Sequence, residues 1–546
     1  MNSFSAHRPL AVGRRGLVSA AHPLAAQAGL RALMAGGNAV DAAVATAAAL
    51  NVVEPQMSGI GGIGWMLIHL AKEKRTRVLN FSGRAPGRID LSVFDSYQAK
   101  WEGIRTAVVP GNPAGWFEAH RTHGARPWKT LFDDAVRFAE EGFPISAHLR
   151  GMIELVGSRK LVKWPGAAAT YLVDGMTPSE GWILRAPDLG KTLRAYAEGG
   201  AEWFYRGEPA RRIGEYAHKH GGGLSADDLR DYAARWEEPI ETSYHGRVYR
   251  TLPPNASAFQ ILQLLNMLEG DDLPALGHNS ADYIHLFIEA SKLAVTDRIH
   301  FGRDPDRGPV PVKGLLSKAY ARELRRKIDM KRAAVVEGDR WNGNRPADAL
   351  PPGDPLRHDS GLTTHFSVAD EAGNVVACTQ TNGSIFGSGA VVEGTGILLN
   401  NAMYWFEQDA GSASPNVAEP RRRFEMPLAP IQVFEGDRLV LSLGSPGSYG
   451  ILQTTPQVLF NHFHFGANLQ EAIEAPRVKV TEGRTITPEA RIPEAVRNEL
   501  TARGHNVKPY PDWSFEVGGF QGIRVLESGH FLGGADPRRD GAAVGF

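Results

Sequence analysis

Residues 361–381, GLTTHFSVADEAGNVVACTQT, constrain this chain more than any other stretch. Apolar and polar residues alternate over 364–369 and again over 375–381, and the intervening 370–374 (DEAGN) is turn chemistry, so the stretch predicts a β-hairpin. Residues equidistant from the centre of an antiparallel turn face each other. With Ala372 at that centre, Thr363 lies opposite Thr381, and two hydroxyls meet at the open end of the hairpin. A Thr–Thr pair is an ordinary cross-strand contact. It also has a catalytic reading. A threonine hydroxyl is a weak nucleophile, but cutting the peptide bond between Leu362 and Thr363 would give Thr363 an α-amine of its own. That amine, with a free pKa near ~8, can serve as base. Thr381 would then steady the Thr363 hydroxyl.

At 546 residues the chain is expected to form two domains or one large layered domain. Its 60 basic and 60 acidic residues balance, which argues against nucleic acid or an anionic membrane as partner. Cys378, the single cysteine, cannot form an internal disulfide and reads as a small buried hydrophobe. No apolar run approaches the ~20 residues that span a bilayer. Residues 1–15 contain no apolar core of a signal peptide, so a cytoplasmic location is expected.

Along the chain, 20–35 reads as an amphipathic helix ended by Gly36-Gly37, and Asn38 as the cap of an alanine-rich helix over 39–52. Residues 54–64 satisfy G-x-G-x-x-G, but they follow a helix and precede a strand, the reverse of a dinucleotide site, so no cofactor is expected. Two strands over 65–81 lead into a loop carrying Ser82 and Arg84. A strand and turn running into a helix are expected over 106–117, and an amphipathic helix over 128–141. Ser225 with Asp228 forms a capping box. The 280–297 helix carries a core stripe of Tyr283, Leu286, Phe287, Ala290, Leu293 and Ala294. Residues 330–360, rich in Pro, Gly and charge, read as an exposed linker. Residues 386–389 read as a turn, 391–401 as strand, and 406–423 as a loop ending in a solvated patch, Arg421-Arg422-Arg423. His462 and His464 lack the further ligands that zinc needs, so no metal is expected.

Several phrases resemble the γ-glutamyltransferase family of N-terminal-nucleophile hydrolases: the run from His22 to Gly64, THFSV at 364–368 behind Thr363, 370–374, GTGILLNN at 394–401, GSPG at 444–447 and GADPR at 534–538. The resemblance covers most of the chain. It implies an α+β fold, a four-layer αββα sandwich of two stacked, mainly antiparallel sheets. It also implies cleavage into a large piece, 1–362, and a small piece, 363–546, that stay together as one unit. By the same resemblance Thr363 is the nucleophile, Thr381 its hydrogen-bond partner, and the backbone N–H groups of Gly447 and Ser448 the donors to the oxyanion. The substrate would be a small-molecule amide, and higher oligomers are possible.

The donor pocket departs from the family. Ser82 stands where the donor-binding arginine is usual, with Arg84 nearby; Met426 and Pro427 replace a serine pair; Tyr404 and Trp405 replace an acidic pair. Gly383 stands where an asparagine is usual, with Asn382 one place away. Leaving a charge desolvated without a partner costs several kcal/mol. A zwitterionic γ-glutamyl head should therefore fit poorly. An acyl group with one carboxylate met by Arg84, or with an aromatic or apolar body against Tyr404 and Trp405, fits better. The expectation is an amidohydrolase akin to the cephalosporin acylase and oxamate amidohydrolase branches. A true γ-glutamyltransferase and a non-catalytic binding homologue are the alternatives.

Overall fold

The computed structural model describes residues 4–334 and 362–546. The hairpin forms at its centre, as strands Leu362–Asp370 and Val375–Gly383. Thr364 faces Gln380 and Ala369 faces Val375, the register centred on Ala372. Asp370 builds the turn. Its Oδ1 accepts the N–H groups of Ala372 and Asn374, each at 3.0 Å, and its Oδ2 accepts the N–H of Ala39 at 2.8 Å, tying the turn to a helix start. At the open end the register slips, and Leu362 pairs with Gly383. Thr363 therefore leaves the ladder, and the expected pairing with Thr381 does not form; Thr381 pairs with Ile63 on its other side.

Two seven-stranded antiparallel sheets are stacked. The first runs Ala542–Gly545, Gly16–Ala20, Leu362–Asp370, Val375–Gly383, Ile63–Leu70, Arg75–Phe81, Arg235–Glu237. The second runs Ala11–Gly13, Phe531–Ala535, Gln521–Val525, Arg438–Gly444, Ile431–Glu435, Arg247–Thr251, Ile240–Tyr244. Gln432 in the second sheet donates to the carbonyl of Val375 in the first at 3.2 Å, and Ser442 meets Ser367 at 3.3 Å, so these faces abut. Helices Pro23–Met34 and Ala39–Val53 cover the outer face of the first sheet. Helices Phe259–Leu268, Ala281–Phe301 and Ile451–Phe463 cover the second. This is the αββα sandwich.

The alanines of Ala39–Val53 explain its place. Every residue of that helix is buried, and small side chains let it lie close to both its neighbours. Against it, a Cβ on Gly29 would stand 2.2 Å from Thr46 Oγ1. Asn38 and Asp41 form a capping box at its start, worth about 1 kcal/mol.

Some expectations fail locally. Residues 107–110 are extended but form no strand, because the amide of Asn400 takes both the N–H and the carbonyl of Val108, at 3.0 Å each, in place of a neighbouring strand. The 128–141 helix opens as a 3-10 turn, Trp128–Phe132, before Asp133–Glu141. The 391–401 region is a small hairpin of Val391–Val392 and Ile397–Leu398. Arg422 and Arg423 are buried, not solvated. Arg423 pairs with Asp304 at 2.8 Å and Glu237 at 3.2 Å, acids supplied by distant segments, and only Arg421 stays exposed. Most of the expected linker over 330–360 lies outside the described residues.

Candidate active site

Thr363 sits at the slip in the hairpin register, fully buried, and its hydroxyl has no hydrogen-bond partner among the described residues. The hydroxyls of Ser58 and Thr364 are likewise buried without a partner among the described residues; a catalytic role and a bound water are two explanations for a group in this state. Thr381 Oγ1 accepts the N–H of Gly383 at 2.8 Å, which fixes its rotamer at the same end of the hairpin. Two residues beyond Thr363, His365 is held between Thr379 at 2.8 Å and Ser367 at 3.2 Å. Burial lowers its pKa to about 3, so the imidazole is neutral.

Gly444 ends its strand against the His365 ring; a Cβ there would lie 2.3 Å from Cε1. The turn that follows is thereby hung beside the hairpin end. Ser445 Oγ donates to the carbonyl of Pro446 at 2.7 Å and accepts from Gly519 N–H at 3.0 Å. Gly447 has φ 131° and Ser448 φ 50°. The left-handed serine costs of order 1 kcal/mol, and neither N–H donates a hydrogen bond among the described residues. Tyr449 OH then donates to Glu425 Oε2 at 2.6 Å, and Arg298 stacks on the Tyr449 ring 4.0 Å from its centre. This buried anchor was invisible in the sequence, since its three members come from three separate segments.

The expected substrate-binding residues divide. Tyr404 stacks on Trp101 at 4.2 Å and meets Trp405 at 4.4 Å; Trp405 stacks on Phe424 at 5.7 Å and 11°. The result is an aromatic wall whose far end, Trp101, the sequence did not reveal. It reaches the hairpin at Gly383, where a Cβ would be 3.3 Å from Tyr404 and 2.1 Å from Asn401 Oδ1. At the other end, Asn255 donates to the carbonyl of Phe424 at 2.7 Å and to Ser82 Oγ at 3.4 Å. Ser82 is thus at the wall. Asn382 is turned under the 54–64 loop, its amide donating to the carbonyl of Pro55 at 3.3 Å. Arg84 does not join them. Its guanidinium reaches the carbonyl of Asp228 at 3.4 Å, and burial, then the charge of Arg421, lower its proton affinity.

An open cleft of about 450 Å³ adjoins this region through Met403, lined also by Arg88, Phe94, Arg105 and Gly222. Neither threonine lines it, so the chemistry is not assigned there. One buried trio, His285, Glu289 and His505, brings three ligand-type atoms within 4.8 Å of one another. The two imidazoles share a 2.8 Å hydrogen bond and Glu289 pairs with Lys292 at 2.7 Å, while His505 Nδ1 has no partner among the described residues.

Residues 25–546 match the family profile described as Gamma-glutamyltranspeptidase. The chain belongs to that family. Acylase ACY 1 proenzyme from Pseudomonas sp. (strain V22) is 37% identical over 99% of this chain and 95% of its own length. Glutathione hydrolase proenzyme from Bacillus subtilis (strain 168) is 34% identical over 100% of this chain and 94% of its own length. The crystal structure of cephalosporin acylase from Bacillus halodurans superposes with a TM-score of 0.89 at 32% identity, covering 100% of this chain and 98% of that one. This gamma-glutamyltranspeptidase-family chain is an enzyme acting on amide bonds.

Proposed function

We propose that the chain is the precursor of an N-terminal-threonine amidohydrolase that matures itself by cutting between Leu362 and Thr363. The observation that carries this is the buried Thr363 hydroxyl at the hairpin slip, without a hydrogen-bond partner among the described residues, two positions before the His365 ring on which Gly444 packs at the start of the 444–448 turn. In maturation, Thr363 Oγ attacks the carbonyl carbon of Leu362, the C–N bond breaks, and the hydroxyl proton passes to the new amine. Water then hydrolyses the ester, releasing the carboxylate of Leu362 and restoring the Thr363 hydroxyl. In turnover, Oγ attacks the substrate amide and the α-amine takes its proton and returns it to the leaving amine. Gly447 and Ser448 donate to the oxyanion; losing one such donor costs ~3 kcal/mol of barrier. Water completes the cycle. That both curated relatives carry the word proenzyme in their names supports the cut.

For the substrate, the part-exposed rings of Trp101 and Tyr404, backed by the buried Trp405 and Phe424, favour an acyl group with an aromatic or apolar body. Met426 is fully buried and offers a zwitterionic head no polar partner; Gly383 offers none either.

The test is a denaturing gel with intact masses, wild type beside Thr363→Ala. Wild type should give pieces of about 40 and 20 kDa by residue count, and the variant a single chain. Wild type that stays whole on prolonged incubation overturns the proposal. The cleaved enzyme should hydrolyse phenylacetyl-p-nitroanilide at least about tenfold faster, by kcat/KM, than γ-glutamyl-p-nitroanilide, a difference of ~1.4 kcal/mol. The reverse order would return the chain to γ-glutamyl chemistry.

A further inference from the structure

Arg539 is almost wholly buried, yet its Nε and Nη2 have no hydrogen-bond partner among the described residues. Its Nη1 lies 3.4 Å from the carbonyl oxygen of Thr363 and 3.4 Å from Met57 Sδ. Its stem packs on Gly519, where a Cβ would be 2.6 Å from Arg539 Cδ. A guanidinium buried without its own ion pair is expensive, and this one is spent beside the proposed nucleophile. Backbone dimensions put the nitrogen of Thr363 about 3 Å from its own carbonyl oxygen. The charge is then within about 6–7 Å of the amine that cleavage would create.

We propose that Arg539 is a positioning residue that keeps the freed α-amine of Thr363 unprotonated, and so able to act as base, at neutral pH. This rests on Thr363 becoming an N-terminal residue. A like charge at that separation in a partly screened interior disfavours the ammonium form by about one to two pH units.

The other charges facing this spot do not cancel it. Asp536 is held by Arg477 at 2.8 Å and Arg538 at 3.1 Å, and Glu516 faces Lys479 at 3.6 Å. Burial raises the pKa of Asp540, which accepts a hydrogen bond from Ser146 and keeps part of its charge. His148 and His365 are kept neutral by burial. Glu54, which interacts with Arg539, is the other acid here; burial raises its pKa to about 7, so it offsets the guanidinium only in part at neutrality.

The experiment is competitive labelling with acetic anhydride between pH 5 and 10 on cleaved protein, reading the N-terminal peptide of the small piece by mass spectrometry. Intact mass first establishes the cut; its absence would overturn the Thr363 reading and this inference with it, whereas cleaved protein with an unshifted half-point overturns this inference alone. In wild type the half-point should fall below about 7.5, against ~8 for a free amine. Arg539→Met should raise it by about one unit or more, and Arg539→Lys should restore it. A wild-type half-point at or above 8 overturns the inference without any variant. So does an unshifted Arg539→Met.

Discussion

At the scale of single residues, two positions carry opposite lessons. Burial raises the Glu54 carboxyl from its ordinary value of 4.5 to about 7. The folded chain then holds this proton more tightly than the unfolded chain does. The contribution is fully present below about pH 4.5 and is lost as pH rises to about 7, on the order of 3 kcal/mol in all. Glu54→Gln should remove that slope. Urea unfolding at pH 5 and pH 8 checks it: the variant should gain on wild type at pH 8, and an equal gap at both values refutes the assignment. Gly383 has φ 102° and no room for a Cβ against Asn401. Gly383→Ala should lose about 2 kcal/mol or more in the same assay. The hairpin that carries Thr363 could be read from the sequence because its strands and turn are contiguous. Arg539 could not, because its neighbours Met57, Thr363 and Gly519 meet only in the fold.

At the scale of elements, the turn after Gly444 is only as stiff as its anchors. Tyr449 holds the last of them through Glu425. Tyr449→Phe leaves a buried carboxylate oxygen short of a donor and should lower stability by about 1–3 kcal/mol. It should also lower kcat several-fold with KM nearly unchanged, since a loosened oxyanion turn affects the transition state more than the bound substrate. A fall confined to KM would count against this placement of the turn. The elements legible in advance were those whose signals are local: the hairpin, the caps at Asn38 and Ser225, and the long helix Ala281–Phe301. The failures came where a side chain replaced a backbone partner, as Asn400 does for Val108. They also came where distant acids drew charge inward, as at Arg423. The contact of Arg84 with the Asp228 carbonyl was not legible either, because proximity in sequence to Ser82 does not fix the direction of a side chain.

At the scale of the whole molecule, the two prospective pieces alternate within one sheet. Gly16–Ala20 lies between Ala542–Gly545 and Leu362–Asp370, and Val375–Gly383 lies against Ile63–Leu70. Cutting at Thr363 severs one bond and leaves those ladders intact. The cleaved protein should therefore elute from a sizing column with both pieces in one peak, co-purifying in equal amounts, and release them only in denaturant. Separation of a free small piece under native conditions would contradict this sheet order. The layered class was legible from the family's phrases, but the pairing of the last strand with one of the first was not, because strand order depends on contacts hundreds of residues apart. That pairing sets a schedule for biosynthesis. Thr363 emerges from the ribosome well before Ser448 and Arg539, and the edge of its sheet is finished only by residues 542–545. On the proposed maturation, a nascent chain would carry the Leu362–Thr363 bond unbroken while the segments holding Ser448, Arg539 and residues 542–545 are still being made.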